Sequence, residues 1–222
     1  MQPFADPVMV ASYAEHTPRK VPGFADLHRM ARLLLAERAP AAADILVVGA
    51  GGGLELKAFA EAQSRWRFVG VDPSTEMLDL ARRVLGPLQS GVALHQGYVD
   101  AAPSGPFDGA TCLLTLHFLA RDERLHTLRN IRQRLKPGAP LIVAHHSIPK
   151  DADPVRWLAR SAAFASGASV DSPQASASAT AMAERLPLLS SDADEAVLRE
   201  AGFSDVALFY AGLSFRGWVA EA

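Results

Sequence analysis

Residues 44–54 have the sequence DILVVGAGGGL, a short apolar run that ends in a cluster of glycines. Because helical spacing follows in Leu54, Leu56 and Phe59, the stretch predicts a buried strand that turns sharply into a helix. Glycine at such a turn lets a ligand approach the backbone without a Cβ in the way, and the start of the helix offers free N–H groups. The stretch therefore indicates either a ligand-binding loop or a tight turn without a ligand.

A second apolar strand, Arg67–Asp72, ends on an acid about twenty residues after the glycines. A carboxylate at that place can accept hydrogen bonds from both hydroxyls of a ribose, so the two features together predict a ligand that contains a nucleoside. The dinucleotide pattern G-x-G-x-x-G would need a third glycine where the chain has Leu54. The spacing present is G-x-G-x-G, which counts against a nicotinamide oxidoreductase but leaves it open.

The same alternation of strands and helices continues along the chain. Strands are expected at Gly91–Gly97, Phe107–Leu114, Ala139–His145, Ser204–Ala211 and Ser214–Ala220, and helices at Pro73–Ala81, Asp122–Leu135 and Glu195–Ala201. Strand, helix and strand in this rhythm predict βαβ units and a parallel sheet. The last two strands are joined by so short a link that they must pair antiparallel. We therefore expect an α/β sheet of five parallel strands and a terminal antiparallel hairpin.

Two segments depart from this alternation. Residues 1–40 predict a helical N-terminal cap with chain breaks at Pro18 and at Pro22–Gly23. Residues 161–183 are mostly Ala, Ser and Gly with no Lys or Arg, which is typical of either a loosely ordered lid or a small-residue helix that packs tightly. We expect one domain over residues 1–222, with a lid-like insertion at 150–190.

The composition of the 222 residues excludes several classes of protein. With a formal charge of −2, the chain has no basic field for a phosphate backbone, so DNA is not an expected partner. A single cysteine rules out an internal disulfide and a zinc site of the CxxC type. No apolar run approaches the roughly 18–20 residues that span a bilayer, and the N-terminus lacks the basic region of a signal peptide. We expect a cytoplasmic protein with no membrane partner.

Several stretches from about residue 40 to 222 resemble class I S-adenosylmethionine (SAM)-dependent methyltransferases: ILVVGAGGG, FVGVDPSTEML, HQGYV, FDGATCLLTLHFL, RLKPGAPLIVA and EAGFSDVALFY. The resemblance implies a Rossmann-like, mostly parallel seven-stranded sheet with a C-terminal antiparallel hairpin and helices on both faces. It also implies SAM as cofactor and in-line methyl transfer to an O or N atom. The acidic charge balance favours a small-molecule acceptor over a nucleic acid. Because SAM is already activated, such an enzyme mainly supplies alignment and exclusion of water.

The resemblance also implies which residues bind the cofactor: Phe24, Gly49, Ala50, Gly51, Asp72, Pro73, Met77, Tyr98, Val99 and Thr115. Two positions depart from the family's pattern, since Val47 replaces the acid two residues before the first glycine, and Tyr98 replaces the acid after the third strand. Tyr98 is interpreted either as flanking adenine, with the Val99 backbone pairing to the base, or as a rim aromatic. Met77 is interpreted either as a core residue or as a contact of the adenine face.

His117 follows the fourth strand, where methyltransferases place groups near the transferred methyl. A neutral imidazole there can take a proton from an O or N nucleophile, so His117 is the candidate catalytic residue, with a structural histidine as the alternative. His145 and His146 are adjacent on a strand and point to opposite faces, which makes them a poor metal pair, and no metal is expected. Cys112 lies in an apolar strand without a basic neighbour, which favours a buried inert thiol over a nucleophile.

A narrower resemblance links RKVPGF at 19–24 and LTLHFL at 114–119 to the carboxy-SAM synthases of tRNA wobble-uridine modification. Phe24 replaces that group's tyrosine, Leu113 replaces an asparagine, and residues 161–183 lack the arginine expected to read the extra carboxylate. An unpaired carboxylate in an enclosed site is costly, so ordinary SAM is the expected ligand. A carboxy-SAM synthase-like enzyme of the tRNA pathway and a non-catalytic SAM-binding protein stay open as alternatives. The sequence leaves both a monomer and a dimer open.

Overall fold

The computed structural model describes residues 7–222, without the side chains of residues 7–9 and 11. The expectation that the chain starts without a signal peptide rests in part on residues 1–6, which lie outside the described residues. Helices and strands follow in this order: α1 Pro7–Lys20, α2 Phe24–Ala36, β1 Asp44–Val48, α3 Leu54–Ala62, β2 Arg67–Asp72, α4 Thr75–Leu85, β3 Val92–Gln96, β4 Gly109–Leu113, α5 Arg121–Gln133, β5 Pro140–His146, α6 Pro154–Ser166, α7 Pro173–Arg185, α8 Ser191–Glu200, β6 Ser204–Gly212 and β7 Phe215–Glu221.

The strands form one seven-stranded sheet in the order β3-β2-β1-β4-β5-β7-β6. β1 to β5 pair parallel, and β7 pairs antiparallel with both β5 and β6. The predicted five parallel strands with a terminal antiparallel hairpin are therefore confirmed. The hairpin enters the sheet through its second strand, which places β6 at the edge.

Two apolar clusters cover the two faces of the sheet. One face of β1 packs Ile45 and Val47 against α2 and α3, where Leu35, Leu56 and Phe59 are fully buried. The other face of the sheet packs against α5 and α8; its buried side chains include Leu46, Cys112, Leu128, Val197 and Trp218. Successive residues of β1 point alternately into the two clusters. Both faces of the strand are therefore buried, which is why β1 is apolar at four successive positions.

The strand order places a ligand crevice at a defined point. β1 lies between β2 and β4: the chain leaves β1 toward β2 and β3 on one side, and the connection from β3 to β4 crosses to its other side. In open α/β sheets, ligands bind outside the carboxyl ends of the strands at this topological switch point. The glycines after β1, Asp72 at the end of β2 and the segment after β4 all lie there.

Two expectations about the helical segments differ from the structure. Pro18 does not break the chain but lies within α1, two residues before its end, where the missing N–H costs a single hydrogen bond. Of the Ala-, Ser- and Gly-rich stretch, residues 161–166 end α6 and residues 173–183 lie in α7, rather than in a loosely ordered segment. Their small side chains allow close packing, and Leu158, Ala159 and Ala179 are buried between the two helices. The lid-like role of residues 150–190 stays a prediction. In the part of the chain that the structure describes, no helix combines the length and apolarity needed to cross a membrane.

Candidate functional site

The turn after β1 brings the backbone of β1 close to the segment after β4. Gly49 has φ 75°, and a Cβ at this position would overlap the Thr115 hydroxyl. Thr115 is held there because its hydroxyl donates to the Leu113 carbonyl at 3.0 Å. Glycine is therefore required at position 49 both for its conformation and for space.

Gly53 has a second steric reason to be glycine. It has φ 79°, and an added Cβ would lie 2.8 Å from the Ala81 Cα. Position 53 therefore lets α3 and α4 approach each other closely. The first and last glycines of the G-x-G-x-G spacing thus allow two close contacts: Gly49 lies against the segment after β4, and Gly53 lies against α4.

Asp72 joins the glycine turn to the start of α4. One carboxylate oxygen accepts from the Gly51 N–H at 2.9 Å, and the other accepts from the Ser74 N–H at 2.9 Å. Burial raises the pKa of Asp72, and the two N–H groups oppose that rise. A carboxylate has about four acceptor positions, so about two stay available after these bonds. Asp72 thus orders the turn and can still accept from a ligand.

Ser74 caps α4, because its hydroxyl accepts from the Met77 N–H at 3.1 Å. Met77 is 1% exposed and packs with Val10, Tyr13 and Leu80, so α1 lies across this end of the cleft. Tyr13 lies directly over the turn, since a Cβ at Gly52 would be 2.9 Å from its ring. Burial raises the pKa of Tyr13 to about 12.

A buried acid lines the other end of the cleft. Glu55, in the first turn of α3, is 7% exposed and accepts a short hydrogen bond from the Thr111 hydroxyl of β4. Burial raises the pKa of Glu55 to about 8, so the free protein holds this carboxyl largely neutral at pH 7. The cleft here is lined by Tyr13, Phe24, His28, Gly49, Ala50, Leu54, Glu55, Leu113 and Leu114.

His28 and Phe24 come to this cleft from α2. Their rings meet edge to face at 4.4 Å, and burial lowers the pKa of His28 to about 4, so its ring is neutral at pH 7. Among the residues that the structure describes, no Lys or Arg lies within ion-pair distance of Glu55 or Asp72. Of the described residues that line the cleft, the acids and neutral groups are therefore present without a Lys or Arg.

Leu114, which also lines the cleft, has φ 56°. A bulky side chain in the left-handed region is a genuine outlier, and such strain clusters at functional sites. The strain turns the chain sharply at the end of β4. Thr115 is thereby set against Gly49.

His117 lies behind this turn rather than among the residues that line the cleft. It is 5% exposed, its ring centre is 4.9 Å from that of His146, and its Nδ1 is buried without a hydrogen-bond partner among the described residues. Burial lowers the pKa of His117 well below its usual range, so the ring is neutral at pH 7. His146 in turn contacts the Ser214 hydroxyl at 2.7 Å and stacks on Phe215. The catalytic role of His117 stays a prediction.

His145 points to the opposite face from His146, as expected for adjacent strand residues. Its Nε2 is 3.2 Å from Asp194 Oδ1, and the same oxygen accepts from Arg124 at 2.6 Å. Cys112 is fully buried, and burial raises the pKa of its thiol. Across the described residues, no cluster of three or more His, Cys, Asp or Glu side chains could hold a metal ion.

The structure brings most of the predicted cofactor-binding residues to one edge of the sheet. The two glycines, Ala50, Asp72, Pro73, Met77 and Thr115 surround the turn, and Phe24 lines the cleft beside it. Tyr98 is 59% exposed at the end of β3, whereas Val99 is buried. Their proposed contacts with adenine stay predictions. Sequence reasoning missed Tyr13, His28 and Glu55, which the fold alone brings into the cleft.

Comparisons with known proteins agree with this geometry. Residues 46–141 match a protein family described as a methyltransferase domain. A carboxy-S-adenosyl-L-methionine synthase of Chromohalobacter salexigens is 26% identical over 97% of this chain and 82% of its own length. The broad and the narrow resemblances predicted from the sequence are both confirmed.

Solved structures show the same fold at low sequence identity. A proposed O-methyltransferase of Nostoc punctiforme superposes with a TM-score of 0.72 at 20% identity over 98% of this chain. Human N-acetylserotonin methyltransferase, solved in complex with SAM, superposes with a TM-score of 0.62 at 15% identity over 99% of this chain. The chain spans only 61% and 59% of the lengths of these two structures. The Rossmann-like methyltransferase fold is therefore confirmed.

Proposed function

We propose that this chain, a class I SAM-dependent methyltransferase in its matched domain and its fold, methylates an O or N atom of a small molecule. The observation that carries the proposal is the contact between the glycine turn and Asp72, in which the Gly51 N–H donates to the carboxylate at 2.9 Å. This contact leaves acceptor positions of a buried carboxylate beside a turn whose residues 51–53 are all glycine and have no Cβ of their own. Such a combination suits the ribose of a nucleoside.

The cleft also suits the rest of SAM. Its glycine turn accommodates a ligand close to the backbone, and the acids with no basic neighbour match a ligand that carries a sulfonium and an ammonium group. Asp72 would hold the ribose hydroxyls, and Met77, Tyr98 and Val99 would surround the adenine. A dinucleotide fits less well, because its pyrophosphate would bring negative charge beside Asp72 and no Lys or Arg of the described residues forms an ion pair there.

Bound SAM supplies a methyl group already activated by its sulfonium, so this chain needs to align the acceptor and exclude water. Tyr13 of α1 lies over the turn, and Val10 packs with Met77 and Leu80 of α4, so α1 is the element proposed to exclude water there. His117 is held neutral by burial and is the candidate to accept the acceptor's proton if the acceptor reaches its ring. Thr115 keeps the segment before His117 in place through its hydrogen bond to Leu113.

A small-molecule acceptor fits the charge of the chain better than a nucleic acid does. The formal net charge of −2 provides no basic surface for a phosphate backbone. α1 brings Tyr13 into the cleft and contacts α6, so these two helices are proposed to shape the acceptor pocket. The chain is proposed to act without DNA or a membrane, in the cytoplasm.

Carboxy-SAM synthesis is the second candidate, because the curated relative from C. salexigens carries that name and matches 97% of this chain. The residues of the cleft count against it. No Lys or Arg occurs among the described residues that line the cleft, and Arg160, one of the two arginines that flank the small-residue segment, lies over the Trp157 ring at 4.5 Å. An added carboxylate would therefore lack a partner.

Mass spectrometry of the ligand that co-purifies with the protein tests the proposal. We expect SAM or S-adenosylhomocysteine from protein purified under native conditions and then denatured. Recovery of carboxy-SAM would favour the second candidate. A nicotinamide dinucleotide in place of all three would overturn the proposal.

A further inference from the structure

The order of the strands sets the order in which parts of a bound nucleoside lie along the cleft. β3, β2, β1 and β4 are neighbours in that sequence, and Asp72 ends β2. With the ribose at Asp72 and the adenine toward β3, the group attached to the other end of the ribose extends over Gly49 toward β4. In SAM that group is an amino acid, with an ammonium and a carboxylate.

Glu55 lies beside the expected position of the amino-acid end of SAM. It lines the same cleft as Gly49, Leu113 and Leu114, at the junction of β1 and β4. Of its two carboxyl oxygens, Oε1 accepts from the Thr111 hydroxyl. No further hydrogen bond of this side chain occurs within the described part of the chain. Tyr13 and His28, which line the same cleft, and Cys112, which interacts with Glu55 electrostatically, provide no positive charge.

The position of Glu55 also accounts for the missing acid at Val47. Val47 of β1 lies directly opposite Thr111 of β4 in the parallel register, so both side chains point to the same face of the sheet. Because Glu55 accepts from Thr111, its carboxyl group reaches the space beside Val47 from α3. An acid is thus present in this part of the cleft although the strand does not supply it.

We propose that Glu55 binds the ammonium group of the amino-acid end of SAM and thereby selects ligands that carry this end. The inference rests on the proposed function. A buried carboxyl without a cation of its own is costly to ionise, and a ligand ammonium supplies the missing charge. Binding then drives the Glu55 proton into solvent, and the resulting charge-assisted hydrogen bond fixes the amino-acid end against the β1–β4 junction.

Calorimetric titration with two ligands tests the role of Glu55. S-adenosylhomocysteine carries the amino-acid end, whereas 5′-methylthioadenosine has the same nucleoside and thioether without it. We expect the wild-type protein to bind S-adenosylhomocysteine at least tenfold more tightly than 5′-methylthioadenosine. Glu55→Gln keeps the shape and an acceptor for Thr111, and we expect it to weaken S-adenosylhomocysteine by at least tenfold and 5′-methylthioadenosine by less than threefold.

Glu61→Gln is the matched control, because Glu61 lies on the same helix with its side chain 57% exposed. It should bind both ligands as the wild type does. Repeating the titration in buffers of different ionisation enthalpy should show proton release on S-adenosylhomocysteine binding in the wild type and a smaller release in Glu55→Gln.

Equal affinity of wild type and Glu55→Gln for S-adenosylhomocysteine would overturn the inference while leaving the proposed function intact. An equal loss for both ligands would also overturn it, because the residue would then support the fold of the cleft rather than the amino-acid end. If the wild type binds neither ligand, the proposed function fails together with the inference.

Discussion

Asp194 and Glu55 are both buried carboxyl groups, but in the described part of the chain Asp194 has a cation beside it and Glu55 has none. Asp194 lies behind the sheet, where Arg124 donates to it at 2.6 Å and His145 lies 3.2 Å away. Glu55 lies in the cleft, and among the described residues only the Thr111 hydroxyl donates a hydrogen bond to it. Burial would raise the pKa of Asp194, but His145 and Arg124 outweigh burial and lower it, whereas burial raises the pKa of Glu55 to about 8.

The presence or absence of a neighbouring cation distinguishes the two acids: Asp194 stabilises the fold, whereas Glu55 is available to a ligand. Arg124 also donates to the Leu119 and Pro187 carbonyls, so the Asp194 pair ties α5 and α8 to two loops. Glu55 holds no comparable network. Asp72 is intermediate, because backbone N–H groups stabilise its carboxylate but leave acceptor positions open.

The largest expected effect comes from breaking the Asp194 pair. Asp194→Ala leaves Arg124 buried without its partner, and removal of one member of a buried pair typically costs about 3–5 kcal/mol. Denaturant unfolding monitored by circular dichroism measures the loss. Asp192→Ala on the same helix is the control, because that carboxylate is exposed and 3.6 Å from Lys150. A loss below about 1 kcal/mol for Asp194→Ala would contradict the structural role given to the pair.

The second effect concerns Asp72. Asp72→Ala removes the acceptors for the ribose hydroxyls, each worth roughly 1.5–3 kcal/mol, so SAM should bind at least about tenfold more weakly. Because Gly51 and Ser74 also lose their acceptor, we expect a loss of stability of about 1–3 kcal/mol as well. Calorimetry and thermal unfolding of the same sample separate the two effects. Unchanged affinity would move the ribose site elsewhere.

The third prediction uses the opposite pKa shifts of the two acids. The pKa of Glu55 is higher in the folded protein than in the unfolded chain, so ionisation weakens the fold as pH rises from about 4.5 to about 8. The pKa of Asp194 is lower in the folded protein, so its contribution is lost as pH falls through that lowered value. Glu55→Gln should therefore stabilise the ligand-free protein at pH 8 by at least about 1 kcal/mol.

The gain from Glu55→Gln should shrink as pH falls toward 5, where Glu55 is protonated in the wild type as well. Urea unfolding at several pH values between 5 and 8.5 measures it, with Glu61→Gln as the exposed control. A gain that does not depend on pH would show that Glu55 does not titrate in this range.

Most of the fold could be predicted from the sequence because the strands carry their own signals. Apolar runs such as Asp44–Val48 end in turn residues, and the antiparallel hairpin follows from the short link around Gly212. The glycine turn and Asp72 could also be predicted, since their roles depend on local spacing. The loosely ordered alternative for residues 161–183 was wrong because small residues suit both a flexible segment and a closely packed helix pair.

The residues that the sequence did not reveal share a different property. Glu55 follows Leu54 in the first turn of a helix, where an acid is ordinarily explained by the helix dipole, so its burial carries no sequence signal. Tyr13 and His28 reach the cleft only because α1 and α2 fold back over the sheet. Their places depend on tertiary packing, which local pattern does not encode.

The central claim is that the cleft has acids for a cationic ligand and no cation for an added carboxylate. A competition titration of SAM against carboxy-SAM tests this most directly, with the wild-type protein and the variants Arg160→Ala and Arg185→Ala. The account predicts that SAM binds at least as tightly as carboxy-SAM and that neither variant changes this order. Tighter binding of carboxy-SAM by tenfold or more, lost in either arginine variant, would contradict it.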